Sequence, residues 1–219
     1  MHFNLEEQEQ LAEFKAWWKQ YGNWLIGGLI VILLSYSVYT GWGWWQNRQS
    51  QGASKLYDTL LVAAQKQDVP AVLRAADDLQ KQFSSTSYAG MGGLVSAQLA
   101  NASGDMAATE KQLRWTMNDA KSVAHRDLAR ARLISLLIDK GDFADADKLA
   151  SASVSTSFEP LILERRGDVQ LAQDKNAEAR KFYQEAWAKL MKNPEASDEA
   201  KRLLKIKLDA VGGLLCVIQ

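Results

Sequence analysis

The residues able to do chemistry are few, and their spacing assembles no reaction site. The histidines are His2 and His125, and the single cysteine is Cys216. A zinc centre needs about four Cys, His or carboxylate donors in close pairs, and no such pairing exists here. One cysteine closes no intramolecular disulfide and says nothing about compartment. Neither a phosphate-cradling GxxxxGK[ST] loop nor a GxSxG nucleophile elbow is present. Gly90-Met91-Gly92-Gly93 is glycine-rich, but it sits inside a helical pattern, where small residues permit close packing. Arg165-Arg166-Gly167-Asp168 has the charge to hold an anion; a solvated helix face accounts for it better. His125, followed by Arg126 and Asp127, reads as an exposed residue at a helix start. The expectation is a protein that is not an enzyme and takes no cofactor and no metal.

Charge narrows the partners. The 26 basic and 26 acidic side chains cancel. Beyond residue 47 the balance is 24 basic against 22 acidic, since Lys15, Lys19, Glu6, Glu7, Glu9 and Glu13 precede it. Nucleic-acid binders are usually far more basic, so none is expected as a partner.

Gln20 to Asn47 runs without a charged side chain. Trp24, Leu25, Ile26, Leu29, Ile30, Val31, Ile32, Leu33 and Leu34 make its centre apolar all round. From Trp24 to Trp45 a helix spans roughly 33 Å, enough to cross a bilayer. Trp17, Trp18, Tyr21 and Trp24 flank one side, and Trp42, Trp44 and Trp45 the other. Indole and phenol rings favour the headgroup zone, so these read as two aromatic belts. A soluble core helix has no use for such belts. A cleaved signal peptide would carry a basic leader and a small-x-small site; here an acidic stretch precedes the run and Gly41-Trp-Gly-Trp-Trp45 closes it. The reading is an uncleaved single-pass anchor in a lipid bilayer, residues 21–45, behind a short tail, residues 1–20. Lys15 and Lys19 before it balance Arg48 and Lys55 after it, so charge leaves orientation open. In the tail, Asn4 and Glu7 fit a helix cap, and Leu11, Phe14 and Trp18 share a face. They suit a helix leading into the span, or one lying at the membrane surface or on a partner.

Residues 46–219 form the remaining domain, and its apolar residues recur at helical spacing. The fold class is all-α. Four turn-like segments repeat: Gln67-Asp68, Gly104-Asp105, Gly141-Asp142 and Asp174-Lys175, each followed by an alanine-bearing helix. Gly104 and Gly141 suit a left-handed helix end. Asp68, Asp105 and Asp142 suit the cap of the next helix. The steps of 37, 37 and 33 residues match a stacked helical-hairpin repeat. In the last copy Leu163, Gly167, Ala179, Tyr183 and Ala186 fall at the tetratricopeptide spacing. Ala146 matches one step earlier, whereas Ile134 and Ser153 depart from the pattern. Helices are expected near 51–66, 70–83, 88–102, 106–120, 123–140, 143–152, 158–173 and 177–191, with 197–211 capping about four hairpins. Leu214, Leu215, Val217 and Ile218 form an apolar tail that either packs back or stays exposed. Such arrays bind peptides or proteins on one face.

The opening Phe3 to Tyr21, the span to Trp45 and the Glu164-Arg-Arg-Gly-Asp to Trp187 segment together resemble the YfgM family, ancillary subunits of the bacterial SecYEG translocon. The resemblance implies a bacterial inner-membrane protein, tail in the cytoplasm and repeats in the periplasm. It implies as partners the SecYEG channel, the membrane-anchored chaperone PpiD and unfolded exported proteins, which the repeats would hold or hand on. It also implies a link to stress-response regulation through the tail. From the residues alone, a scaffold of another envelope complex, or a regulator acting through residues 1–20, remains open.

Overall fold

The computed structural model describes Leu5–Gly212, with side chains from Gln10 onward. The Asn4 cap, His2, Cys216 and the apolar tail from Leu214 lie outside these residues. Among the described residues there are nine α-helices, one short 3-10 turn and no strand. The helices are α1 (Leu5–Gln65), α2 (Val69–Gln82), α3 (Ser87–Ala102), α4 (Met106–Asp119), α5 (Val123–Asp139), α6 (Phe143–Ala150), α7 (Glu159–Leu171), α8 (Asn176–Lys192) and α9 (Asp198–Ala210). The chain divides into two units, residues 1–49 and 50–219. The break expected between span and first repeat helix is absent, because α1 runs through it. No proline interrupts Leu5–Gln65, and Gly52 does not stop it: its missing side chain admits the Phe83 ring, 2.8 Å from where a Cβ would stand.

In the second unit, Ser50–Gln65 of α1 pairs with α2, α3 with α4, α5 with α6 and α7 with α8. Each pair is joined by the same turn. Gln67, Gly104, Gly141 and Asp174 all adopt left-handed backbone, at φ of 55°, 83°, 77° and 60°. At each, the next residue's N–H reaches back five positions: Asp68 to Ala63, Asp105 to Ala100, Asp142 to Leu137 and Lys175 to Gln170, at 2.9–3.0 Å. This doubled end bond satisfies carbonyls that a helix terminus leaves open. Asp68, Asp105 and Asp142 then accept from the N–H of Ala71, Ala108 and Asp145, as expected of N-caps. Lys175, at the same place in the fourth turn, offers no such acceptor.

Core packing follows the same frame, with a rule hidden in it. Eight residues before and eight after the capping position, each hairpin sets one large and one small residue. The pairs are Leu60 and Ala76, Ala97 and Leu113, Ile134 and Ala150, and Gly167 and Tyr183. The first six are at most 5% exposed, as is Tyr183. A Cβ on Gly167 would stand 2.3 Å from the Tyr183 ring. Large and small exchange sides from one hairpin to the next. Ile134 is therefore no defect in the pattern; Ala150 leaves the room that Tyr183 would have filled.

Two departures from expectation lie between α6 and α7. The first is that α6 stops at Ala150, before the run Ser151-Ala-Ser-Val-Ser155, and Ser153 is exposed. A 3-10 turn, Thr156–Phe158, then leads into α7. Helix α5 pins this linker. Buried Asp127 accepts from the Ser155 N–H and hydroxyl at 3.1 and 2.6 Å, and Arg130 donates to the Ser153 carbonyl at 2.7 Å. Helix α9 caps the array through buried Leu204, Leu208 and Val211, which join Ala179, Tyr183 and Ala186.

Candidate functional site

The first unit offers a surface without a cover. Trp24, Leu25, Ile26, Leu29, Ile30, Val31, Ile32, Leu33, Leu34, Trp42, Trp44 and Trp45 are each 45–83% exposed. Soluble proteins rarely expose a continuous apolar surface on this scale. The polar atoms on it are satisfied within the helix: Ser35, Ser37 and Thr40 hydroxyls donate to the carbonyls of Val31, Leu33 and Tyr36 at 2.8–3.0 Å. Hydrocarbon demands that internal satisfaction. The aromatic residues cluster at both ends. Phe14 stacks on Trp17 and Trp18, Trp17 meets Tyr21, and Trp42 meets Trp45. The Arg48 guanidinium lies 5.2 Å from the Trp44 ring centre, so its charge is held at that end of the apolar run. Gly27 and Gly28 have open space where a Cβ would stand.

In the second unit the residues that tempted as chemistry prove to be packing. Gly90 makes room for His125, Gly92 for Leu79 and Gly93 for Thr116. His125 is half-buried, not exposed as expected. Its Nδ1 is buried without a partner, and burial holds the ring below the ordinary histidine pKa of 6.5. The sequence conveys no pairing of Gly90 with His125, because the two stand thirty-five positions apart. The Arg165–Asp168 motif is engaged internally. Arg165 donates to Asp168 at 2.7 Å, and Lys207 of α9 reaches Glu164 and both Asp168 oxygens at 2.6–2.7 Å. The Tyr183 hydroxyl donates to Asp168 at 2.7 Å; burial first, and then that carboxylate, push its pKa well above the tyrosine range. Arg166 lies 4.4 Å from the Phe182 ring centre. Lys207 and the Tyr183 hydroxyl thus tie Asp168 of α7 to α9 and α8, while Arg165 pairs within α7 and Arg166 lies against Phe182 of α8. Among the described residues no cluster of His, Cys, Asp and Glu could hold a metal.

A groove of about 440 Å³ opens where α3, α4, α5 and α7 meet. Ala97, Leu113, Ala131 and Leu136 give it an apolar floor, and all four are buried. Gln98 and Asn101 of α3 and Arg132, Ser135 and Asp139 of α5 supply polar groups. Sequence reading missed them because polar residues on an exposed helix face carry no mark. The repeat frame holds one signal: Arg132 and Arg165 both stand ten residues before a capping position, Asp142 and Lys175. Elsewhere in this unit the large exposed apolar residues are scattered, apart from Leu203 and Ile206 on α9.

Comparison with known proteins settles the kinship. A family model described as a tetratricopeptide repeat-like domain matches residues 15–213. An ancillary SecYEG translocon subunit of Neisseria gonorrhoeae is 32% identical over 215 residues, covering 96% of this chain and all of the relative. The chain belongs to the ancillary SecYEG translocon subunit family. Ancillary subunits of the same name from Haemophilus influenzae and Aggregatibacter actinomycetemcomitans are 24% and 26% identical. They cover 95% and 85% of this chain and 99% and 91% of their own lengths. The family match takes in both the apolar helix and every turn of the repeat array. The family resemblance, the all-α class and the tetratricopeptide-like array read from the sequence therefore hold.

Proposed function

We propose that this chain is a non-enzymatic accessory subunit of the SecYEG translocon, held in the inner membrane by the apolar part of α1. The observation that carries this is the match along nearly the whole chain to relatives named for that role. The uncovered apolar surface with aromatic ends supports the anchor, since bilayer hydrocarbon is the environment that removes it from water. The finer reading is a scaffold. The repeats stand on the periplasmic side, meet exported proteins while these are still unfolded, and bring them to a periplasmic chaperone such as PpiD. Tethering beside the channel raises the local concentration of weak contacts without new ones. The groove between α3 and α5 supports a binding role, since polar groups ring its apolar floor.

The test is affinity purification of the full chain in mild detergent, beside a chain whose residues 21–45 are replaced by an unrelated span. Recovery of SecY and SecE with the native chain is expected, and their loss with the exchanged span assigns docking to the anchor. Recovery of neither from native membranes would end the translocon reading. Recovery of the channel without PpiD would end only the chaperone link.

A further inference from the structure

From the geometry at the end of the array we infer that residues 214–218 fold back along α9 as an extended strap, seating Leu215 on Ile206 and Val217 on Leu203. These residues lie beyond the family match, which ends at residue 213. Leu203 and Ile206 are 49% and 58% exposed, and Ala210 is exposed as well. The three fall at i, i+3 and i+7, so they form one apolar stripe. The stripe lies about 130° round the helix from Leu204, Leu208 and Val211, taking 3.6 residues per turn. Those last three pack on Ala179, Tyr183 and Ala186 of α8. Each earlier hairpin lays a second helix against its first; α9 has none among the described residues.

The turn that opens a second helix is nevertheless present. Gly212 adopts left-handed backbone at φ 73°, thirty-eight residues after Asp174. Its N–H donates to the Asp209 carbonyl, three positions back, at 3.0 Å. Gln67, Gly104, Gly141 and Asp174 make the same bond at 2.9–3.0 Å. Arg180 of α8 fixes the exit. Its Nε donates to the Val211 carbonyl at 2.8 Å, and its guanidinium occupies the room that a side chain on Gly212 would need. The chain therefore leaves α9 in the conformation that elsewhere turns it back antiparallel.

Length selects the form of the return. Ile206 and Leu203 stand six and nine residues before Gly212, about 9 and 13.5 Å along the helix axis. From Gly212 an extended chain covers about 10 Å to Leu215 and about 16.5 Å to Val217, and alternation puts those two on one side. A helix over the same residues would rise only about 7.5 Å to Val217 and stop short of both stripe residues. Leu214 to Ile218 carry no charge, and β-branched Val217 and Ile218 favour extended backbone. So covered, the stripe is withheld from other apolar chains, and the array closes on its own tail.

Disulfide trapping in the full chain, held in detergent micelles, tests the strap. Cys216 is the single cysteine, so Cys216→Ser gives a background free of thiols. In it, Val217→Cys with Leu203→Cys should close within one chain on mild oxidation, giving a faster band on a non-reducing gel. Val217→Cys with Lys205→Cys should not close, because Lys205 is exposed on the other flank of α9 and cysteines facing apart cannot be bridged. A second reading needs no thiol. Val217→Asp should lower the melting temperature by about 2–4 °C, and hardly at all in the Leu203→Asp background. Absence of the 203–217 disulfide, equal closure at position 205, or disulfides formed only between chains would overturn the inference, the last by giving the stripe to a second copy. An equal melting loss in both backgrounds would overturn it too. Each of those results would leave co-purification with the channel untouched.

Discussion

Replacing Gly167 puts the size-exchange rule of the core to a quantitative test. A methyl group there would lie 2.3 and 2.5 Å from two carbons of the Tyr183 ring. Ordinary carbon contacts are about 3.5–4 Å, so the ring must retreat by more than about 1 Å. It has little freedom: Tyr183 is fully buried and its hydroxyl is tied to Asp168, itself bound by Lys207. Overpacking of this kind costs about 1–3 kcal/mol, against about 1 kcal/mol gained from alanine's helix propensity. Gly167→Ala should therefore lose up to about 2 kcal/mol. Tyr183→Ala alone should lose about 3–5 kcal/mol through the cavity. The double variant Gly167→Ile/Tyr183→Ala copies the preceding hairpin, where Ile134 faces Ala150. It should be no less stable than Tyr183→Ala, whereas Gly167→Ile alone, bulkier than alanine against the ring, should lose at least about 2 kcal/mol; with Gly167→Ile and Tyr183→Ala as the single variants, that is a coupling of at least about 2 kcal/mol. Denaturant unfolding of the full chain in detergent, followed by circular dichroism, measures all four corners of the cycle. Additive losses within about 0.5 kcal/mol would refute the rule.

Three further outcomes follow from the turns and from His125. Asp105→Ala should cost about 1 kcal/mol by removing the cap on Ala108, while Lys175→Asp should gain a similar amount by supplying the cap its turn lacks; the same unfolding assay reads both. Gly104→Ala should destabilise by about 1 kcal/mol at its left-handed φ, whereas Gln67→Gly and Asp174→Gly should stabilise slightly, as melting temperatures would show. Burial lowers the His125 pKa, so below pH 6.5 the unfolded chain takes up the proton more readily. Its contribution is therefore present above pH 6.5 and falls as pH drops from there toward the folded pKa. Exchanging His125 for Leu should flatten the stability profile just below pH 6.5; an unchanged slope would show that the histidine is not the titrating group.

Much of the fold is legible in the sequence, for local reasons. The turns Gly104-Asp105 and Gly141-Asp142 carry residue types whose backbone and side-chain chemistry dictate their conformation. Gln67 and Asp174 adopt the same conformation without glycine, and the spacing, not the residue type, reveals them. The apolar helix is legible because hydrocarbon imposes one composition on every side. What is illegible is pairwise. Ile134 looks like a departure until Ala150 is known to face it. His125 looks exposed until Gly90 is known to make room. The groove residues Gln98, Asn101 and Asp139 belong to helices brought together only by stacking, and a polar side chain on a helix surface announces no neighbour. The Arg165–Asp168 motif misleads in the other direction, because α9 brings Lys207 onto it from thirty-nine positions away.

The central claim is membership in the translocon, and native gel electrophoresis of gently solubilised membranes tests it most directly. Antibodies to this chain and to SecY would probe the same lanes, with a strain making only residues 50–219 alongside. The account predicts a shared band in which both proteins comigrate, and loss of that band when residues 1–49 are removed. Quantitative migration of the full chain apart from SecY, at native abundance, would contradict it.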